Sequence, residues 1–223
     1  MKRLFDFIMA LVGITITSPF MIIVAILIKI TSKGPILFKQ KRLTIGMKEF
    51  EIYKFRSMRT DYDKDAKGIQ TKGSSSAITP VGKFIRKTKL DELPQFFNII
   101  KGEMSFVGPR PELPRRLQYY TEIQKEMFAV RSGISSPASI VFSDEEYLMN
   151  QVQNPENFYI EQIMPYKIEL NKYYAKNQSF IWDIWIIIAT ILKIIGKVKN
   201  EDVVKDENLL AGHKNLLEAV GRY

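Results

Sequence analysis

The chain has 223 residues, no cysteine, one histidine and a formal net charge of +9, enough for one compact domain with a core but not for two large ones. The absence of cysteine excludes a disulfide scaffold, a thiolate zinc site and a cysteine nucleophile, and His213, alone in a charged C-terminal segment, makes a Ser-His-Asp triad or a multi-histidine metal site improbable. Catalysis, if the chain has any, must run on carboxylates and cations.

The charge excess is local: residues 1–59 hold 11 Lys/Arg against 3 Asp/Glu, whereas residues 60–223 hold 22 against 21. A basic block of this kind suits nucleic acid, anionic lipid or a phosphorylated substrate. Nucleic acid is disfavoured, since no helix-turn-helix, zinc or stacking-platform pattern accompanies the charge.

From Phe7 to Ile28 there is no charged residue, and as a helix this run would extend about 33 Å, enough to cross a hydrocarbon core. It is longer than a signal-peptide apolar region and lacks a cleavage site, so it is expected to stay in the mature protein. Pro19, mid-run, removes one backbone hydrogen bond and predicts a sharp bend, with Ser18 able to satisfy a freed group locally. Lys2 and Arg3 precede the run and Lys29, Lys33, Lys39, Lys41 and Arg42 follow it, which places both ends in the cytoplasm. A re-entrant hairpin meets both conditions; an ordinary kinked spanning helix is the alternative.

Gly34-Pro35 marks a turn, and Ile36 to Arg42 and Phe50 to Met58 read as two short strands of a hairpin. Period-two alternation puts Phe50, Ile52, Lys54 and Arg56 on one face, so that Lys54 and Arg56 offer paired cations to a diphosphate or merely guard a strand edge. Residues 61–79, with Gly73-Ser74-Ser75-Ser76 at the centre, predict a mobile loop that could act as a lid. Val81 to Lys101 reads as a helix ended by Gly102, and Gly108-Pro109-Arg110-Pro111 as a stiff irregular run. A helix over Leu113 to Val130, a Ser/Gly/Pro loop over Ser132 to Ser139, and helices over Pro155 to Tyr174 and Asp183 to Ile195 follow. Trp182 and Trp185 suggest that the apolar segment from Phe180 lies at the headgroup level, with a buried core helix as the alternative. The tail after Lys197 is charged and expected to be peripheral.

The densest chemistry lies in Arg86-Lys87-Thr88-Lys89-Leu90-Asp91-Glu92-Leu93-Pro94-Gln95, where two adjacent carboxylates are preceded by three cations. Such a pair can supply a carboxylate nucleophile and a metal ligand beside phosphate-binding groups. The competing reading is a helix cap, since Thr88 and Asp91 have capping-box spacing.

The blocks around it carry a resemblance. Lys2-Arg3-Leu4-Phe5-Asp6, Ser18-Pro19, Thr31-Ser32-Lys33-Gly34-Pro35, Phe38-Lys39-Gln40-Lys41-Arg42 and Tyr53-Lys54-Phe55-Arg56-Ser57-Met58 lead to Leu90-Asp91-Glu92-Leu93-Pro94-Gln95. Asn98, Lys101-Gly102-Glu103-Met104-Ser105 and Val107-Gly108-Pro109-Arg110-Pro111 follow. In order and spacing the chain resembles the bacterial sugar transferase family, the monotopic phosphoglycosyl transferases that start glycoconjugate assembly on undecaprenyl phosphate. Two departures stand out: the family often has glycine where Thr44 stands, and an Arg-Pro-Gly-Ile-Thr-Gly type loop where this chain reads Arg131-Ser132-Gly133-Ile134-Ser135-Ser136-Pro137.

The resemblance implies an α+β, mainly helical fold: a re-entrant membrane helix over 1–33 bent at Ser18-Pro19, a cytoplasmic catalytic domain with a short β-hairpin over 34–199, and a tail over 200–223. It implies a Mg²⁺-dependent transferase at the cytoplasmic face of the bacterial inner membrane. Asp91 would attack a UDP-sugar, UMP would leave, and polyprenyl phosphate would take the sugar phosphate from the enzyme. Glu92, with Asp91, would hold the metal, or Glu92 would act as the proton-handling partner; Arg86, Arg110, Lys54, Arg56 and Gln95 would bind substrate. The bilayer is an expected partner, and a homo-oligomer is compatible with this reading. A membrane-anchored adaptor without activity and a UDP-sugar hydrolase are the rival readings.

Overall fold

The computed structural model describes residues 1–60, 77–194 and 196–219; most of the expected lid, 61–76, lies outside the described residues. The fold is mostly helical with two two-stranded sheets. The chain divides into two compact units: one comprises Met1–Arg42 with Glu49–Met104, the other Leu43–Lys48 with Ser105–Tyr223.

In the first unit, α1 (Lys2–Thr31) is a single 30-residue helix running through Pro19, not two helices joined by a turn. The carbonyl that Pro19 leaves without a donor belongs to Thr15, and the Ser18 hydroxyl donates to it at 2.9 Å, so helical geometry survives the proline. Asp6, Ala10, Val24 and Ile28 are buried at spacings of a single helical face. The remaining surface is apolar yet exposed, with Ile16, Phe20, Ile22 and Ile30 among the most open side chains. Among the described residues this is the one helix long and apolar enough to cross a membrane.

The hairpin is present as β1 (Leu37–Leu43) and β2 (Glu49–Phe55), joined by a 3-10 turn over Ile45–Met47. Phe50 and Ile52 are buried as the alternation predicted, and Phe55 packs with Val24, Ile28 and Ile85. Asn98 bolts this strand to the helix behind it. Its side chain accepts from the Tyr53 amide at 3.0 Å and donates to the Glu51 carbonyl and the Glu103 carboxylate, each at 2.7 Å.

The single helix expected over Val81 to Lys101 is broken. α2 (Pro80–Lys87) is capped by the Thr79 hydroxyl, which accepts from the Gly82 amide at 2.9 Å. Thr88 closes it, its hydroxyl donating back to the Phe84 carbonyl at 2.9 Å. Lys89 then enters the left-handed region at φ 59°, a 3-10 turn covers Leu90–Glu92, and Pro94 precedes α3 (Gln95–Lys101). The 3.6-residue periodicity persists across this corner, which is why the sequence alone reads as one helix.

In the second unit, β3 (Ser105–Val107) runs parallel to β4 (Gly133–Ser135), with Ser105 opposite Gly133 and Val107 opposite Ser135. The main chains approach so closely at Gly108 and Gly133 that a β-carbon on either would strike backbone. The two departures from the family pattern meet here: the Ser132 amide donates to the Thr44 hydroxyl at 3.3 Å, and the Ser132 hydroxyl to the Leu43 carbonyl at 2.9 Å. A proline at 132 could not make the first of these bonds.

The helix expected over Leu113 to Val130 is instead two 3-10 segments, Pro114–Tyr119 and Gln124–Ala129. Thr121 and Gln124 exchange backbone-to-side-chain bonds and start the second segment afresh. Three short helices follow, α4 (Pro137–Val141), α5 (Glu145–Asn150) and α6 (Pro155–Phe158), the last continuing through a π-helical turn, Tyr159–Ile163, into α7 (Met164–Asn177).

In α8 (Phe180–Ile194), Trp182 packs on Tyr173 and Tyr174, and the Trp185 indole donates to the Asp202 carbonyl at 2.9 Å. One flank of this helix is therefore core, while Ile181 (82% exposed), Ile188 and Ile191 face outward. The tail is not peripheral. α9 (Glu207–Ala219) buries Leu210, Leu216 and Leu217, and His213 pairs with Asp144 at 2.9 Å while its ring packs edge-on to Phe142.

Candidate active site

Asp91 sits in the corner between α2 and α3, in the 3-10 turn that the left-handed Lys89 introduces. A lysine in that region costs about 1–2 kcal/mol relative to ordinary backbone, so the corner is strained. The cap reading does not hold: the Thr88 hydroxyl faces back along α2. Asp91 is only 8% exposed. Burial, followed by the charge of Glu92, pushes its carboxyl above the ordinary value, while Lys54, Arg86 and Lys89 pull the other way without overcoming them.

Glu92 projects to Lys54 of β2, their charged atoms 2.6 Å apart and both side chains largely covered. The first unit thus gathers two carboxylates and three cations, Lys54, Arg86 and Lys89, from β2, α2 and the corner itself. Of these, Lys89 was not among the expected site residues, and nothing in its residue type signals the backbone turn it makes. Two adjacent carboxylates fit Mg²⁺, which takes one or two of them and completes its octahedron with water and substrate phosphate oxygens. Among the described residues there is no group of three or more potential protein ligands.

Three expected substrate contacts require comment. Arg56 is 5% exposed, and its guanidinium donates to the Ser32 carbonyl and hydroxyl, each at 2.8 Å, and to the Lys33 carbonyl. The strand ends at Phe55, so the period-two argument that paired Arg56 with Lys54 stops one residue short. Gln95 is 2% exposed and offers almost no surface to a ligand. Arg110 is exposed in the second unit, where its charge acts on Glu145 and Lys167.

Comparison with known proteins extends the pattern. The bacterial sugar transferase family model matches residues 1–197. The chain is 39% identical over 197 residues to a UDP-N-acetylgalactosamine-undecaprenyl-phosphate N-acetylgalactosaminephosphotransferase of Aeromonas hydrophila, covering 87% of this chain and 43% of that protein. It is 38% identical over 196 residues to a UDP-glucose:undecaprenyl-phosphate glucose-1-phosphate transferase of Klebsiella pneumoniae, covering 86% and 39%. With the exopolysaccharide production protein PSS of Rhizobium leguminosarum bv. phaseoli it shares 34% over 206 residues, 89% of this chain and 97% of that one. The chain thus spans less than half the length of the first two relatives and nearly all of the third. On a match over most of its length, this chain belongs to the bacterial sugar transferase family.

Proposed function

We propose that the chain transfers a sugar 1-phosphate from a UDP-sugar to undecaprenyl phosphate, in two steps through Asp91. The observation that carries this reading is a buried carboxylate, held above its ordinary pKa and ringed by Lys54, Arg86 and Lys89, in a protein whose N-terminal helix exposes an apolar surface. An oxygen of the Asp91 carboxylate attacks the β-phosphorus; the bond from that phosphorus to the bridging oxygen breaks, and UMP leaves with the bridging oxygen. The sugar phosphate, now an acyl phosphate on Asp91, is attacked by a phosphate oxygen of the lipid, which restores the carboxylate and gives a lipid diphosphosugar. Desolvation makes Asp91 a stronger nucleophile than a hydrated carboxylate once it is ionised, and the surrounding cations favour that ionised form. Lys54 and Arg86 are suited to the diphosphate oxygens. Asp91 and Glu92 would hold Mg²⁺, which would supply neutralisation of the negative charge as UMP departs. Arg110, exposed between two prolines in the second unit, is a further candidate cation for phosphate on the family resemblance alone.

We also propose that α1 enters and leaves the bilayer on the cytoplasmic side. Both of its ends are tied to the first unit: the Arg3 guanidinium donates to the Ile99 and Ile100 carbonyls, and Arg56 grips the Ser32 and Lys33 carbonyls. A helix crossing the membrane would carry one of those ends away. The outward flank of α8, Ile181, Ile188 and Ile191, suits the interface. The test is UMP release from a panel of UDP-sugars with Mg²⁺, with and without undecaprenyl phosphate. Sugar phosphate recovered in lipid supports the transferase; recovery in water supports the rival hydrolase, and no release from any donor supports the adaptor.

A further inference from the structure

Arg56 stands two residues beyond Lys54, the residue that holds Glu92, and its guanidinium is spent on the far end of α1. Besides the bonds to Ser32 and Lys33, it reaches the Ile28 carbonyl at 3.5 Å, while its own amide, one residue past the end of β2, donates to the Ile36 carbonyl at 2.9 Å. A cation suits these groups, because the carbonyls at a helix C-terminus carry partial negative charge. Gly34 completes the seat: it lies at φ 121°, and a β-carbon there would overlap the Arg56 guanidinium. The same short stretch of β2 therefore touches the catalytic corner at Lys54 and the apolar helix at Phe55 and Arg56.

We propose that Arg56 is a positioning residue that fixes Lys54, and through it Glu92, by tying the end of β2 to the C-terminal end of α1. The seating of the apolar helix is thereby felt at the carboxylate pair. The inference rests on the transferase reading for its consequence, but the link itself is a property of the first unit.

The test uses the full chain in phosphatidylglycerol-containing vesicles and two readouts. Acylation of Lys54 by an amine-reactive probe, quantified by peptide mass spectrometry, reads the link. In Arg56→Ala it should rise several-fold, toward the level of Glu92→Gln, in which the ion pair is gone. UMP release, normalised to folded protein, reads the consequence. Arg56→Ala should lose at least about tenfold in kcat with little change in KM for the UDP-sugar; Arg56→Lys should recover part of it, and adding Lys54→Ala to Arg56→Ala should cost no more than Lys54→Ala alone. If Arg56→Ala does not fold, Gly34→Ala, which displaces the guanidinium without removing it, should expose Lys54 in the same way. Unchanged Lys54 reactivity in either folded variant overturns the proposal, as do losses that simply multiply. Absence of turnover in the unsubstituted enzyme counts against the transferase reading instead, and the acylation arm then decides this one.

Discussion

The two units each bury a set of charges, and they settle them in opposite ways. In the second unit Glu112 accepts from Arg116 at 2.9 Å and from the Tyr120 hydroxyl at 3.1 Å, and Lys167 pairs with Glu145. The ring of Tyr159 lies beneath both cations, 4.4 Å from Arg116 and 5.5 Å from Lys167. Burial pushes the Glu145 carboxyl up, but the charge and hydrogen bond of Lys167, with Arg110 and Arg116 behind, bring it below the ordinary value. In the first unit burial and Glu92 win, and Asp91 stays above. One cluster pairs its charges with one another; in the other, burial holds a carboxylate above its ordinary value despite three neighbouring cations, which is the condition of a group suited to reaction.

The largest expected difference is in turnover. Asp91→Asn should lose a factor on the order of 10³ or more in UMP release while remaining folded, because the amide keeps the shape and removes the nucleophile. Glu145→Gln, in the self-satisfied cluster, should keep turnover within a few-fold. Equal losses in the two variants would erase the distinction between the clusters.

Next comes stability. Lys167→Met leaves Glu145 without its partner and should cost about 2 kcal/mol in chemical denaturation. That is less than a fully buried pair would lose, because the Glu145 side chain is 33% exposed. An unchanged denaturation midpoint would show that the second cluster does not hold its unit together.

The smallest effect is the most diagnostic in sign. Asp91 has a folded pKa above its unfolded one, so the stability it contributes is present below the unfolded value and is lost as pH rises through the folded value. Without magnesium at neutral pH, Asp91→Asn should therefore melt higher than the unsubstituted protein, with the gap closing in acid. Glu145, whose folded pKa is lowered, contributes stability above its unfolded value that disappears as pH falls through the folded one. Glu145→Gln should accordingly melt lower at neutral pH, and its gap too should close in acid. A lower melting temperature for Asp91→Asn would contradict the assigned burial cost.

What the sequence disclosed was whatever depends on local order. The apolar run, the hairpin, the long helix from Pro155 and the Asp91-Glu92 pair follow from periodicity, turn residues and motif spacing. Its failures come mainly from contacts between distant residues, and in one place from a local backbone turn. Arg56 reads as a diphosphate cation by alternation, and only the fold shows Ser32 and Lys33 in its grasp. The break at Thr88-Lys89 hides within an uninterrupted apolar period, and the tail reads as peripheral until His213 finds Asp144, 69 residues away. Asn98 lies in the motif pattern, but its bonds to Glu51 and Tyr53 belong to tertiary structure.

The central claim is that Asp91 carries the sugar phosphate. It is tested most directly by incubating the purified chain with UDP-sugar and Mg²⁺ in the absence of undecaprenyl phosphate, followed by peptide mass spectrometry. The peptide containing Asp91 should gain the mass of one sugar phosphate, with matching release of UMP and discharge when the lipid is added. UMP released only when the lipid is present, with that peptide unmodified, would contradict the account and point to direct transfer between the two substrates.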